Sequence, residues 1–259
     1  MSNKFQAPRK SLGQNFLQDA NIIQKIVAAV SPRDTDQVIE IGPGRGALTE
    51  HLLSSNCQLT VIEFDRDLAN FWLERAETED KLTVHAADAL KVDFDSLSQR
   101  NFKLVGNLPY NISSPLLLKM IDVGPRLQSV VVMLQKEVID RISASPNTKQ
   151  YGRLSVVLQQ AFMIKSLFNV PPTAFFPPPK VTSAVAELVP HDTLPVADQG
   201  LLQAIVKLAF AQRRKTLRNN FKNSPYLSVI EQLGIDLGLR AENLTVAEYV
   251  DICNAIKDA

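Results

Sequence analysis

Cysteine, histidine and net charge are all scarce in this chain, and each scarcity closes off a class of function. Cys57 and Cys253 are the two cysteines among 259 residues. They are far apart and lie in apolar contexts, with neither a disulfide framework nor metal-ligand spacing, so both read as reduced core thiols of a cytoplasmic protein. His51, His85 and His191 are scattered without an HxxxH or HExxH pattern, and no metal is expected. A formal net charge of +1 excludes a strongly basic protein, so nucleic-acid contact must come from local clusters. No segment approaches about eighteen consecutive apolar residues, and the basic N-terminal stretch "MSNKFQAPRKSLGQNFL" has no apolar core. A soluble, unexported protein with no membrane contact is expected. Hydrophobic residues still make up 45%, enough for a buried core and too many for wholesale disorder.

What is present is an alternation. "NIIQKIVAAV" has the spacing of an amphipathic helix, "QVIEIG" reads as a short buried strand, "GALTEHLLSS" as a helix and "QLTVIEFD" as a strand. "RDLANFWLERAE", "KLTVHAAD", "NFKLVGN", "SPLLLKMID" and "SVVVMLQ" continue the pattern, which predicts an α/β fold with a parallel sheet covered on both faces. Past Gly152, "IKSLFNV" and "KVTSAVAELVP" are candidates for an antiparallel pair around the proline-rich "VPPTAFFPPPK", making the sheet a mixed one. From about residue 194 only helical patterns follow, including a continuous "QGLLQAIVKLAFAQRRKTLRNNF". "PHDTLPVADQG" reads as a linker, dividing the chain into 1–190 and a small all-helical domain over 191–259.

"EIGPGRGALT" (40–49) places Gly42, Gly44 and Gly46 between a strand and a helix, where a ligand can lie against bare backbone and a helix N-terminus. Three readings compete. The loop is a tight turn that needs glycine, a dinucleotide site satisfying Gly42-x-Gly44-x-x-Ala47, or a site for S-adenosylmethionine. Glu63 and Asp88 stand at the ends of successive strands, and in an open α/β sheet such ends share one crevice. A ribose wants an acidic acceptor at the first position and an adenine amine benefits from one at the second. Each acid singly reads as a solvated carboxylate or helix cap; both after a glycine loop favour the methyl donor.

"VGNLPYNISSP" (105–115) is richer than a strand-to-helix turn requires. Methyl transfer to an exocyclic nucleobase amine needs acceptors that favour a pyramidal nitrogen and stabilise its developing positive charge. The Asn107 side-chain oxygen and the Leu108 carbonyl are candidates, with Pro109 stiffening the backbone that aims the carbonyl. Tyr110 is placed to stack on a base taken out of its own stack. The plain alternative is a turn in which Pro and Asn are breakers and Tyr110 packs on the core.

With these motifs in order, the chain resembles the ribosomal RNA adenine dimethyltransferases that modify small-subunit RNA. The resemblance runs over nearly the whole chain, through "KSLGQNFL", "EIGPGRGALT", "VIEFDRDLA", "GNLPYNISSP", "LQKEV", "YGRLSV", "VPPTAFFPPPKVTSAV" and "AFAQRRKTLRN". It implies a Rossmann-like class I methyltransferase domain with a mixed, mostly parallel seven-stranded sheet, S-adenosylmethionine as methyl donor, and no metal. It also implies dimethylation of two adjacent adenosines near the 3′ end of 16S rRNA within an assembling 30S particle, by a cytoplasmic monomer. By the same resemblance Asn15 and the Leu17 backbone close the donor pocket, Gly42 lies under the methionine end, and Glu63 and Asp88 take ribose and adenine. Asn107 borders donor and target, while Tyr110 and Phe175 sandwich the target adenine. Phe176 is the rival for the exposed aromatic position; Phe175 is preferred because Phe-x-Pro-x-Pro-x-Val begins there. Ala87 departs from the larger polar residue or glycine common in relatives.

"QRRKTLRNNFK" carries Arg213, Arg214, Lys215, Arg218 and Lys222 without an acid. As a helix it would set Arg214 and Arg218 on one face, suited to RNA phosphates, with Lys4, Arg9 and Lys10 adding basic character at the other end of the chain. A solvated charged face is the plain reading of such a run. Other functional readings are a large-subunit RNA dimethyltransferase, a dinucleotide oxidoreductase, which leaves "NLPY" unexplained, and a non-catalytic assembly factor.

Overall fold

The computed structural model describes residues 8–9, 14–98, 100–109, 112–193, 195–196 and 198–259. Nine strands are found among them: β1 (Phe16–Leu17), β2 (Gln37–Ile41), β3 (Gln58–Glu63), β4 (Leu82–Ala86), β5 (Phe102–Asn107), β6 (Leu127–Gln135), β7 (Phe162–Val170), β8 (Phe175–Phe176) and β9 (Ser183–Pro190). Seven form one sheet in the order β4-β3-β2-β5-β6-β9-β7, and β1 pairs antiparallel with β8 as a separate ribbon. The sheet runs parallel from β4 to β6, and β9 is antiparallel to β6. The mixed, mostly parallel sheet expected from the alternation is therefore present.

Register sets the site. Ile41 of β2 is level with Ile62 of β3 on one side and Gly106 of β5 on the other. Glu63 is in turn level with Ala86 of β4. The residues that follow or end these strands, Gly42, Glu63, Asn107 and Asp88, thus converge at one edge of the sheet. That edge is the crevice where strand order reverses, with β3 on one side of β2 and β5 on the other. The strands reach it on largely apolar cores: Val38, Ile39, Val61, Ile62, Leu104 and Val105 are all buried, as expected of a sheet covered on both faces.

Helix Ala20–Val30 shows how the covering works. Ile22, Ile23, Ile26 and Val30 fall on one stripe and are buried, each worth about 1.5–3 kcal/mol relative to exposure. Asp19 caps it, its carboxylate accepting from the Asn21 and Ile22 N–H groups at 2.9 and 3.2 Å. Both cysteines are free and buried.

Packing divides the chain into two units, Met1–Ile139 with Lys165–Pro190, and Asp140–Ile164 with His191–Ala259. A single break after residue 190 is the expectation from composition; the second unit also takes in Asp140–Ile164. Its core explains why. Tyr151, Phe210 and Tyr249 pack in series, the first pair tilted with centroids 6.4 Å apart and the second stacked at 6.1 Å, and helix Arg153–Gln159 buries Val156 and Leu158 in the same unit.

One predicted helix is broken. "QGLLQAIVKLAFAQRRKTLRNNF" is helical over Gln199–Ala209 and again over Leu217–Phe221, with turns between. Residues 211–215 are all exposed and offer no apolar stripe to bury. The Asn220 side chain instead donates to the Ala209 carbonyl at 2.7 Å, and Leu217 N–H donates to Leu239 at 2.7 Å. Among the described residues no helix is long and apolar enough to cross a membrane.

Candidate active site

A cavity of about 300 Å³ opens at the convergent strand ends. Its floor is the glycine loop. Gly42 has φ +68°, a conformation costly for side-chain-bearing residues, and its N–H donates to Ile62 at 2.9 Å. Gly46 is held as tightly from behind: a Cβ there would lie 2.9 Å from the Trp72 ring. The Trp72 indole N–H donates to the Gly44 carbonyl at 3.0 Å, so the chain's one tryptophan is the loop's anchor. Sequence reasoning misses this role, although a lone tryptophan on the helix after an acidic strand end is a usable signal.

Glu63 is buried beside this loop. One carboxylate oxygen accepts from Gly44 N–H at 3.1 Å and the other from Asp65 N–H at 2.8 Å. Burial raises its pKa above the usual carboxylate value, and the backbone hydrogen bonds from Asp65 and Gly44 partly oppose the rise. Asp88, half-buried at the next strand end, accepts from Leu90 N–H at 3.0 Å and lines the same cavity. Both acids therefore reach the crevice, each held by backbone donors.

On the other side, the Asn107 amide nitrogen donates to the Asn15 carbonyl at 3.2 Å. Only the NH₂ end of an amide donates, so this contact commits the nitrogen and leaves the Asn107 oxygen as the acceptor. Leu108 N–H donates to Met133 at 3.2 Å, tying the turn to β6, and Pro109 lines the cavity. Tyr110 lies outside the described residues.

The N-terminal ribbon closes the cavity. Asn15 and Phe16 line it; Leu17 is buried and paired with Phe175 but does not itself line it. Phe175, 5% exposed, lines the cavity, whereas Phe176 is 52% exposed. The aromatic in the cavity is thus the buried one, and the exposed position belongs to Phe176. Phe64, Asp65 and Gln14 are cavity residues that the motifs do not single out. Phe64 is 63% exposed despite its size, an apolar wall at the cavity. Asp65 accepts from the Gln14 side chain at 2.8 Å and from Arg9 at 3.3 Å, and Arg9 also pairs with Asp67. Arg9 is therefore engaged by carboxylates; Lys4 and Lys10 lie outside the described residues.

The C-terminal cluster differs from its expectation. Arg213, Arg214 and Lys215 lie in turns, so Arg214 and Arg218 do not share a helix. The run itself holds no acid, but two of its cations are paired from elsewhere in the chain: Arg213 with Glu242 at 2.7 Å and Arg218 with Glu231 at 2.9 Å. Arg214 and Lys215 are exposed and form no ion pair among the described residues. No group of three metal-binding side chains occurs among the described residues either.

Comparison with known proteins shows which family the chain resembles. Residues 5–258 match the family model described as ribosomal RNA adenine dimethylase. A protein of Chromobacterium violaceum named ribosomal RNA small subunit methyltransferase A is 52% identical over 256 residues, covering 97% of this chain and 96% of its own. The protein of the same name from Thiobacillus denitrificans is 51% identical, covering 93% and 95%. Among solved structures, a dimethyladenosine transferase from Plasmodium falciparum superposes with a TM-score of 0.83 at 27% identity, covering 94% of this chain and 98% of that one. The 23S rRNA methyltransferase ErmE, at 23% identity and a TM-score of 0.71, covers 94% and 100% and shares the fold.

Proposed function

The chain belongs to the ribosomal RNA adenine dimethylase family, and from that premise we propose that it dimethylates N6 of two adjacent adenosines near the 3′ end of small-subunit rRNA with S-adenosylmethionine. The residues present fit the donor. Gly42 leaves backbone uncovered at the cavity floor, Glu63 offers a carboxylate to ribose hydroxyls, Asp88 one to the adenine amine, and Phe64 an apolar face for its ring. Asn15 and the strand pairing of Leu17 with Phe175 close the pocket from the other side.

The observation that carries the reading is the Asn107 amide, turned by the Asn15 carbonyl so that its oxygen is the acceptor in a cavity shared with Glu63 and Asp88. An adenine amine there donates to the Asn107 oxygen and the Leu108 carbonyl. Its lone pair is thereby freed from the ring and directed at an electrophilic methyl, which the donor's sulfonium supplies. The N–C bond forms as the C–S bond breaks, S-adenosylhomocysteine leaves, and the ammonium proton passes to water. Stabilising that charge with fixed acceptors is the electrostatic contribution expected of such a site. Phe175 stacks on the extruded adenine from the cavity side, and Tyr110 on the other.

On this proposal residues 1–190 carry the methyltransferase chemistry and 191–259 grip RNA, with Arg214 and Lys215 on phosphates in preference to the paired Arg213 and Arg218. The substrate is an assembling 30S particle and the enzyme a cytoplasmic monomer. Incubation with labelled donor and unmethylated small subunits, followed by mapping of the label, tests the reading. Label on adenine N6 is the expected result; no incorporation, together with measurable nicotinamide binding, overturns it.

A further inference from the structure

Phe176 is a large aromatic left 52% exposed, one residue after the cavity-lining Phe175. The β1–β8 register pairs it with Phe16, which itself lines the cavity and carries the Arg45 guanidinium 4.4 Å above its ring. Directly paired residues share one face of a ribbon, so Phe176 stands on the face of Phe16, beside the cavity. Beyond it the chain exposes Pro178, Lys180 and Val181, the last 40% exposed. Lys180 forms no ion pair among the described residues. A ring of this size is ordinarily buried, and here the fold leaves it in solvent next to a cavity-lining residue.

We propose that Phe176, with Lys180, is an RNA-stacking platform that holds a nucleotide flanking the extruded target adenine. The inference rests on the proposed function and deepens it. An exposed flat ring followed four residues later by an exposed cation is a combination that takes single-stranded nucleic acid: the ring stacks on a base of any identity while the ammonium meets a phosphate. Two aromatics consecutive in the chain then divide the work. Phe175 inside the cavity grips the base to be methylated, and Phe176 outside it holds the neighbour that has to be parted from that base.

The test uses the full-length protein as wild type, Phe176→Ala, Phe176→Tyr and Lys180→Ala. Each is titrated against protein-free small-subunit rRNA and against unmethylated small subunits, with S-adenosylmethionine affinity measured separately. Phe176→Ala is expected to weaken both RNA substrates about tenfold while donor affinity stays within about twofold, and Phe176→Tyr to restore RNA binding. Lys180→Ala is expected to make the salt dependence of binding shallower by about one unit of logarithmic slope. Wild-type binding of protein-free rRNA by Phe176→Ala overturns the proposal. So does a loss confined to whole particles, which would assign the ring to a protein partner, or a matching loss of donor affinity, which would make it part of the cavity's architecture. A wild-type enzyme that binds rRNA and transfers no methyl defeats the proposed function while the contrast between Phe176 and its variants can still be read.

Discussion

Two regions of this molecule are rich in hydrogen-bonding charge, and they use it in opposite ways. At the cavity, Glu63 is buried and its two oxygens are held by the backbone N–H groups of Gly44 and Asp65. In the C-terminal cluster, Arg213 and Arg218 pair with Glu242 and Glu231 through long, half-exposed side chains. Backbone donors fixed by strand register hold a carboxylate without any side chain having to be ordered. Exposed ion pairs order two flexible side chains in high dielectric and contribute about 0–1 kcal/mol. The first arrangement fixes a carboxylate in place, whereas the second occupies two cations at little gain in stability and leaves the unpaired Arg214 and Lys215 to solvent.

Substitutions should separate the two regions in order of size. Asn107→Ala removes the oriented acceptor and should lower kcat about 100- to 1000-fold while donor binding is partly kept, measured by steady-state kinetics beside calorimetry. If turnover stays at the wild-type level, the acceptor role belongs elsewhere. Glu63→Gln loses a charge-assisted hydrogen bond, and donor affinity should drop about tenfold or more. Because burial raises the Glu63 pKa, wild-type donor affinity should fall with decreasing pH sooner than for an ordinary carboxylate, and Glu63→Gln should flatten that dependence in a binding titration across pH.

Glu40, buried under the loop with one oxygen lacking a hydrogen-bond partner among the described residues, gives an effect on stability. Burial lifts its pKa from the ordinary 4.5 to about 8. The folded state therefore keeps a proton that the unfolded state has released, so this contribution is fully present below pH 4.5 and is lost as pH rises towards 8. Denaturation midpoints should show stability falling by up to about 1.4 kcal/mol per pH unit across that window, and Glu40→Gln should remove the slope. At the surface the expected changes are smallest. Arg214→Ala with Lys215→Ala should weaken rRNA binding several-fold and make its salt dependence shallower by roughly one to two units of slope. Arg218→Ala should alter stability by less than about 0.5 kcal/mol in a thermal melt. An Arg218 effect as large as that of Glu63 would erase the distinction between the two regions.

The cavity was more legible than the cluster because its neighbours are set locally. Gly42, Glu63 and Asp88 each end or follow an apolar strand, and parallel register brings successive strand ends together. The Trp72 anchor is not legible locally because its hydrogen bond to Gly44 spans 28 residues, and the clasp of Arg9 and Gln14 on Asp65 spans more than fifty. The cluster read as uncompensated because Glu231 and Glu242 lie 13 and 29 residues from the arginines they meet. The continuous helix failed for a related reason: an unbroken helix through residues 211–215 has nothing apolar to bury, and Asn220 supplies a cap at Ala209 instead.

By itself the sequence determined the alternation of strands and helices, the bare backbone of the glycine loop and the presence of acids at strand ends. These are properties of neighbouring residues, dictated by side-chain period and backbone conformation. Tertiary structure decided which atom of Asn107 is committed as a donor, which of two adjacent phenylalanines enters the cavity, and which cations are already paired. Those outcomes depend on groups distant in the chain: Asn15 meeting Asn107, β1 pairing with β8, and Glu242 reaching Arg213. Only packing brings such partners within hydrogen-bonding distance.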